Sequence, residues 1–124
     1  MDSIQPRKQR KFRYTAPMHL RKKMVSAHIS KELRAKLGTK KRSAPLRKGD
    51  KVTLMCGDEA GKTGKVISVE LAFLKVYVEG IVQRNAKGVE KPLPIDPSNL
   101  LIIDGDFSKD RLAMINRAGK IAKK

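Results

Sequence analysis

The sequence predicts a mainly β protein: a small antiparallel barrel, preceded by a basic N-terminal arm with a helical extension and followed by a short C-terminal helix. Three observations predict it. The 124 residues suffice for one domain with extensions rather than for two domains. Between Gly49 and Gly80, short runs rich in alternating apolar residues are separated by tight glycine-containing connections, the pattern of a small barrel. The charge is lopsided: residues 1–48 hold 16 Lys+Arg against Asp2 and Glu32, a net of +14, whereas residues 49–124 hold 13 against 10 acids, a net of +3, which together give the formal +17.

The elements follow in chain order. Residues 1–17 read as an extended arm. Its centre, Arg7-Lys-Gln-Arg-Lys-Phe-Arg-Tyr14, is too charged to fold alone, and Pro6 and Pro17 bracket it. Phe12 and Tyr14 have three uses there: stacking on splayed bases, packing against a groove, or docking onto the domain. From Met18 to Leu37, Val25, Ile29, Leu33 and Leu37 recur at helical spacing. Ser30 is a good N-cap, Glu32 falls in the first turn after it and Gly38 is placed to end the helix. One bent helix or two short ones satisfy this pattern. Thr39 to Lys48 reads as a cationic loop.

Lys51 to Cys56 is a strand, Gly57 to Gly61 a turn, Thr63 to Glu70 a second strand and Leu74 to Glu79 a third, with Val76 and Val78 alternating against Lys75, Tyr77 and Glu79. Ile81 to Pro97 forms a long hairpin or an extended surface loop, with Asn85 and Gly88 as turn residues. Leu100-Leu-Ile-Ile103 is a short apolar run suited to closing the barrel. Ser108 caps a last helix with Asp110 in its first turn, and Gly119 stops it before a basic tail, Lys120 to Lys124. The boundaries so read are 1–48 for arm and helical extension, 49–104 for the barrel and 105–124 for helix and tail.

A surplus of 17 positive charges repels itself unless a polyanion relieves it, and nucleic acid is the commonest such partner. The expected contacts are Arg7, Lys8, Arg10, Lys11, Arg13 and Tyr14 in the arm. They continue with His19, Arg21, Lys22, Lys23 and His28 in the helical region, and Lys40, Lys41, Arg42, Arg47 and Lys48 before the first strand. With no Trp and 4% aromatic residues, contact should run through phosphates rather than through an aromatic stacking platform.

Other chemistry is poorly supplied. Cys56 is the only cysteine, so neither an internal disulfide nor a cysteine metal site is expected; it reads as a small hydrophobe in a strand. Two His nine residues apart make a poor metal site. Gly57-Asp-Glu-Ala-Gly61-Lys62-Thr63 has three residues between its glycines where a nucleotide-binding loop needs four, and a strand pattern follows instead of a helix. Asp104 and Asp106 flank Gly105 in what reads as a turn. No nucleophile–base pair stands out, so no enzyme activity, cofactor, metal or small-molecule substrate is expected. No apolar run approaches the roughly 20 residues of a membrane span, and the basic start lacks the apolar segment of a secretory signal. A monomeric cytoplasmic protein is the expectation.

The segment Gly49-Asp-Lys-Val-Thr-Leu-Met-Cys-Gly-Asp-Glu-Ala-Gly-Lys-Thr-Gly-Lys-Val-Ile-Ser-Val69 resembles a KOW motif, a strand–turn–strand unit. Gly57, Gly61 and Gly64 supply positive φ angles and close backbone approach, and Lys62 and Lys65 then sit at a strand end facing phosphates. The flanks narrow the likeness. The basic arm, Ser26-Ala-His-Ile-Ser-Lys-Glu-Leu33, Arg47-Lys-Gly-Asp-Lys-Val52 and Pro94-Ile-Asp-Pro-Ser-Asn-Leu100 together resemble the universal large-subunit ribosomal protein twenty-four family. The likeness is to its archaeal and eukaryotic branch, more archaeal in the short C-terminus, and covers about Arg7 to Gly119.

That resemblance implies an SH3-like barrel bound to the 5′ region of large-subunit ribosomal RNA, beside the polypeptide exit tunnel and among neighbouring ribosomal proteins, with an early role in assembly. One departure is Asp96, where many relatives carry His; an acid repels phosphate. Three other classes are weaker. A KOW-type transcription factor needs a polymerase-binding domain for which there is no room. An RNA-cleaving enzyme lacks its constellation. A membrane-surface peptide needs a broader apolar stripe than Met18–Leu37 offers.

Overall fold

A computed structural model describes residues 3–117; the expected stop at Gly119 and the basic tail lie outside them. The first element corrects the expectation of an extended arm. Residues Pro6–Thr15 form a helix, α1, none of whose residues is buried. Arg, Lys and Gln are good helix formers, and Pro6 occupies the first turn, where its missing N–H costs nothing. Pro17 ends it by forcing Ala16 into an extended conformation.

The Met18–Leu37 stretch resolves into two short helices, α2 (Met18–Met24) and α3 (Lys31–Leu37), with an unforeseen strand between them, β1 (Ser26–Ile29). Alternation in β1 buries Ala27 and Ile29 and turns His28 outward. The Ser30 side chain accepts from the Leu33 N–H at 3.1 Å, and Gly38 closes α3 at φ 59°. The expected loop 39–48 also contains a strand, β2 (Ser43–Pro45), paired antiparallel to β1.

The glycine-rich segment folds into the three strands read from the sequence, the first ending at Leu54 rather than Cys56. Strands β3 (Lys51–Leu54), β4 (Thr63–Glu70) and β5 (Lys75–Val78) form consecutive antiparallel pairs. The Ile81–Pro97 stretch is a hairpin, β6 (Val82–Arg84) with β7 (Glu90–Pro92). A 3₁₀ turn over Pro97–Asn99 leads into β8 (Leu100–Asp104), and α4 (Lys109–Asn116) follows. Strand β8 lies between β1, to which it is parallel, and β3, so the six-stranded order is β2-β1-β8-β3-β4-β5. Hydrogen-bonded pairing does not join β5 back to β2 among the described residues, and helices and strands share the chain about equally. The fold is thus a mixed helix and sheet domain around a multi-stranded sheet.

Its core takes one face of the sheet, with Val52, Val76, Leu100 and Ile102 fully buried, and is sealed by Leu33 of α3 and Ile115 of α4. Each such aliphatic contributes roughly 1.5–3 kcal/mol. Cys56 is a correction: it lies past the end of β3 and is exposed. Tyr77 of β5 donates to Glu70 at 3.0 Å; this bond, partial burial and the carboxylate's charge hold its ionisation above the ordinary 10.0.

The three motif glycines divide into two roles. Gly57 and Gly61 have φ of 96° and 85°, as the turn requires. Gly64 does not; it is there for space. A Cβ at Gly64 would collide with the Glu79 carbonyl oxygen and stand 2.7 Å from Val78 Cγ1, so β4 and β5 would have to part. Gly64→Ala should therefore cost about 1–3 kcal/mol in urea unfolding, as overpacked sites do.

Candidate nucleic-acid interface

The cations expected to meet a polyanion fall into three groups. The first surrounds α1 and α2. Helical geometry places Arg7, Arg10, Lys11 and Tyr14 at i, i+3, i+4 and i+7, hence on one face, all of them exposed; Lys8 is exposed beside them. Arg10 and Tyr14 stand at the border of this face, where they line a cleft with Phe73, and the flank with Gln9, Phe12 and Arg13 turns to the domain. Gln9, Phe12 and Arg13 line a cleft with Met24, Ser26, Leu74 and Pro97. Phe12 is half-buried there and docks the helix, whereas Tyr14 remains 76% exposed.

On α2, His19, Lys22 and Lys23 are exposed. Arg21 is not a free cation of the same kind. Its guanidinium donates to the carbonyl of Tyr14, at the end of α1, and to that of Ala72 at 3.5 Å, in the turn after β4. It fastens the arm to the sheet.

The second group follows α3. Lys40, Lys41 and Arg42 run along the loop into β2. That loop is anchored: buried Thr39 donates its hydroxyl to Asn116 of α4 at 2.9 Å and accepts the Lys41 N–H at 3.2 Å. Arg47 and Lys48 lie in the β2–β3 turn. The Arg47 N–H donates to the Asp50 carboxylate at 2.9 Å, and Gly49 takes φ 92°. His28 projects from β1 on the outer face of the sheet.

A buried ion pair holds this turn, and the sequence reading did not find it. Arg111 of α4 is 0% exposed. It reaches both Asp50 oxygens, at 2.8 and 2.6 Å, and donates to the carbonyls of Asp106 at 3.0 Å and Pro45 at 2.9 Å. The ring of Phe107 covers its guanidinium at 4.3 Å. Gly105 leaves the space, since a Cβ there would lie 2.5 Å from Asp50 Oδ1. The Asp104-Gly105-Asp106 segment accordingly ends β8 and opens its connection to α4, with the Asp104 side chain accepting the Gly105 N–H at 2.9 Å.

The third group opens β4. Lys62 forms an ion pair with Glu59 in the preceding turn, so part of its charge is already answered. Lys65 stands opposite Lys51 across β3 and β4. Like charges facing each other on paired strands are unfavourable, and Asp104 of β8, in register with Lys51 on its other side, supplies one nearby acid. Asp96, the expected departure, binds Lys75 at 2.8 Å, which neutralises one further cation at the sheet edge. Among the described residues no cluster of three or more His, Cys, Asp or Glu is placed to hold a metal ion, and no helix is long and apolar enough to cross a membrane.

A small β-rich domain whose cations gather on one helical arm and two anchored turns is a basic protein suited to a polyanionic partner. The chain belongs to the ribosomal protein family that comprises the eukaryotic L26 proteins and their archaeal L24 counterparts, whose model matches residues 3–118. It is similar to the large ribosomal subunit protein uL24 of the archaeon Pyrobaculum islandicum, with 49% identity over 119 residues and 95% of each chain covered. The family expected from the arm, the glycine-rich unit and the Pro94–Leu100 segment is therefore the one found. The transcription-factor reading gains no support from it.

Proposed function

We propose that the chain is a structural component of the large ribosomal subunit and binds its ribosomal RNA directly. The observation that carries this is the family match over residues 3–118, together with a 49% identical relative whose name places that relative in the large subunit. The distribution of charge supports it, since 13 of the 16 Lys+Arg before Gly49 lie on α1, α2 and the loops around β2.

In this reading the strand–turn–strand over Gly49–Val69 is the KOW unit of an SH3-like barrel formed by the sheet. Residues 1–48 grip RNA, 49–104 carry the barrel, and 105–124 brace the β2–β3 turn and add basic charge. Arg7, Lys8, Arg10, Lys11 and the cations at 40–42 and 47–48 neutralise phosphates from several RNA segments, in the 5′ region and beside the exit tunnel, early in assembly. Helix α1 has no fully buried residue and is held to the domain through half-buried Phe12 and the Arg21 bond to Tyr14, so it is the part most dependent on RNA for its order.

The test is sedimentation of the tagged chain from its own cells. It should co-migrate with the large subunit, together with neighbouring ribosomal proteins, and stay through a high-salt wash. Migration with RNA polymerase, or at the top of the gradient, would overturn the reading.

A further inference from the structure

We propose that the cleft between α1 and the β4–β5 turn receives one unpaired RNA base, stacked against Tyr14 and Phe73, with the flanking phosphates on Arg10 and Arg13. The inference rests on the RNA-binding reading above and deepens it. It also takes up, for Tyr14, the base-stacking use that the sequence left open, and adds a base contact to an interaction expected to run mostly through phosphates. Two rings are few for a platform, but the fold brings both to one place.

The cleft measures about 360 Å³ and is lined by Arg10, Arg13, Tyr14, Phe73 and Lys75 among others. That volume lies within the roughly 300–1,000 Å³ of small-molecule sites. Tyr14 is 76% exposed and Phe73 68%, so two of the chain's five aromatic residues stand open to solvent at one cleft. An aromatic face left in water forgoes burial worth several times the energy of a surface ion pair.

The backbone works to keep Phe73 there. Leu74 has φ 56°, the one positive φ outside glycine among the described residues, yet its side chain is 5% exposed. Burial of Leu74 holds an unfavourable conformation that places Phe73 at the surface. Arg21 does the same from the other side. By bonding the carbonyls of both Tyr14 and Ala72, it fixes the end of α1 to the turn that carries Phe73.

The charge at the cleft selects the occupant. Lys75 is engaged by Asp96 at 2.8 Å, whereas Arg10 and Arg13, the other two cations lining the cleft, form no ion pair with an acid among the described residues. Two guanidinium groups beside two open rings suit a nucleotide: every base offers a π-face, and the planar fork of Arg matches a phosphate. An apolar peptide would leave both cations unanswered.

The experiment is filter binding of the full chain to large-subunit ribosomal RNA across a salt series. Stacking on an aromatic ring is worth enough that Tyr14→Leu or Phe73→Leu should each weaken binding by roughly 5- to 100-fold. The slope of log affinity against log salt should not change, because no phosphate contact is lost. Tyr14→Phe keeps the ring and should bind as the native chain does. Zero-length ultraviolet crosslinking should then leave nucleotide adducts on the peptides bearing Tyr14 or Phe73. Both Leu variants are at exposed positions, and circular dichroism checks that they fold. If the Leu variants bind RNA as tightly as the native chain, the inference fails while RNA binding stands; protection of these residues by a neighbouring protein would then assign the cleft to that protein. A native chain that does not bind the RNA overturns both readings.

Discussion

Arg111→Ala should lower the stability of the chain by about 3–5 kcal/mol, the usual result of removing one partner from a buried ion pair. The cause lies in what remains. The Asp50 carboxylate is 2% exposed and would keep only the Arg47 N–H as a donor, a charge left in the core without its counterion. The carbonyls of Pro45 and Asp106 would lose their donor as well. At about 4 °C per kcal/mol for a domain of this size, the midpoint of thermal unfolding should fall by roughly 12–20 °C. Asp50→Ala should cost a similar amount, and the double variant less than the sum, since the second substitution removes an already orphaned charge. Arg117→Ala, at an exposed position, should change stability by no more than about 0.5 kcal/mol. Added salt should not erase the difference between Arg111→Ala and the native chain, because the pair is out of reach of counterions. Loss of Arg111 should also loosen the turn that holds Arg47 and Lys48, which amide exchange at Arg47 and Asp50 would report.

That pair also marks the limit of what the sequence discloses. Wherever an element is set by neighbours in the chain, the reading and the structure agree. Ser30, Glu32 and Gly38 delimit α3, and the alternation around Val76 and Val78 gives β5. Gly57 and Gly61 mark the turn between β3 and β4. The elements that escaped are those fixed by distant partners. Strand β1 exists because His28 and Ile29 pair with Leu101 and Ile102 of β8, and β2 because β1 offers it an edge. At four and three residues, neither carries a period of its own. Nothing local marks Arg111 of α4 as a buried ion-pair partner, because Asp50 lies 61 residues away. Arg21 looked like an RNA contact because nothing local shows that it bonds Ala72. The arm failed for a different reason. Its charge was weighed above its composition, and Lys, Arg and Gln propagate a helix well once Pro6 has started it. The candidate interface was therefore legible as a list of cations, while their grouping, and the place of Phe73 among them, needed the fold.

The helical arm changes what removing its cations should do. Were residues 7–11 an extended strand, Arg7, Lys8, Arg10 and Lys11 would alternate between two sides and meet different RNA segments. On α1, Arg7, Arg10 and Lys11 share one face within about one and a half turns, so they address one stretch of phosphates together. Replacing all four by Ala removes up to four phosphate contacts. With about 0.7–0.9 counterions released per contact, the slope of log affinity against log salt should fall by about 3 in magnitude. The loss of affinity should accordingly be largest at low salt, shrink as salt rises and be uniform across RNA sequences. Alanine is the best helix former, so α1 should persist in the variant and the domain, which buries none of these residues, should melt as before. A slope unchanged within error would show that the arm does not meet phosphate and that the cations around β2 carry the binding. Tyr14 and Phe73, left in place, should keep their salt-independent share. The combined variant with Tyr14→Leu would then lose affinity in two separable ways, one seen in the slope and the other in the intercept.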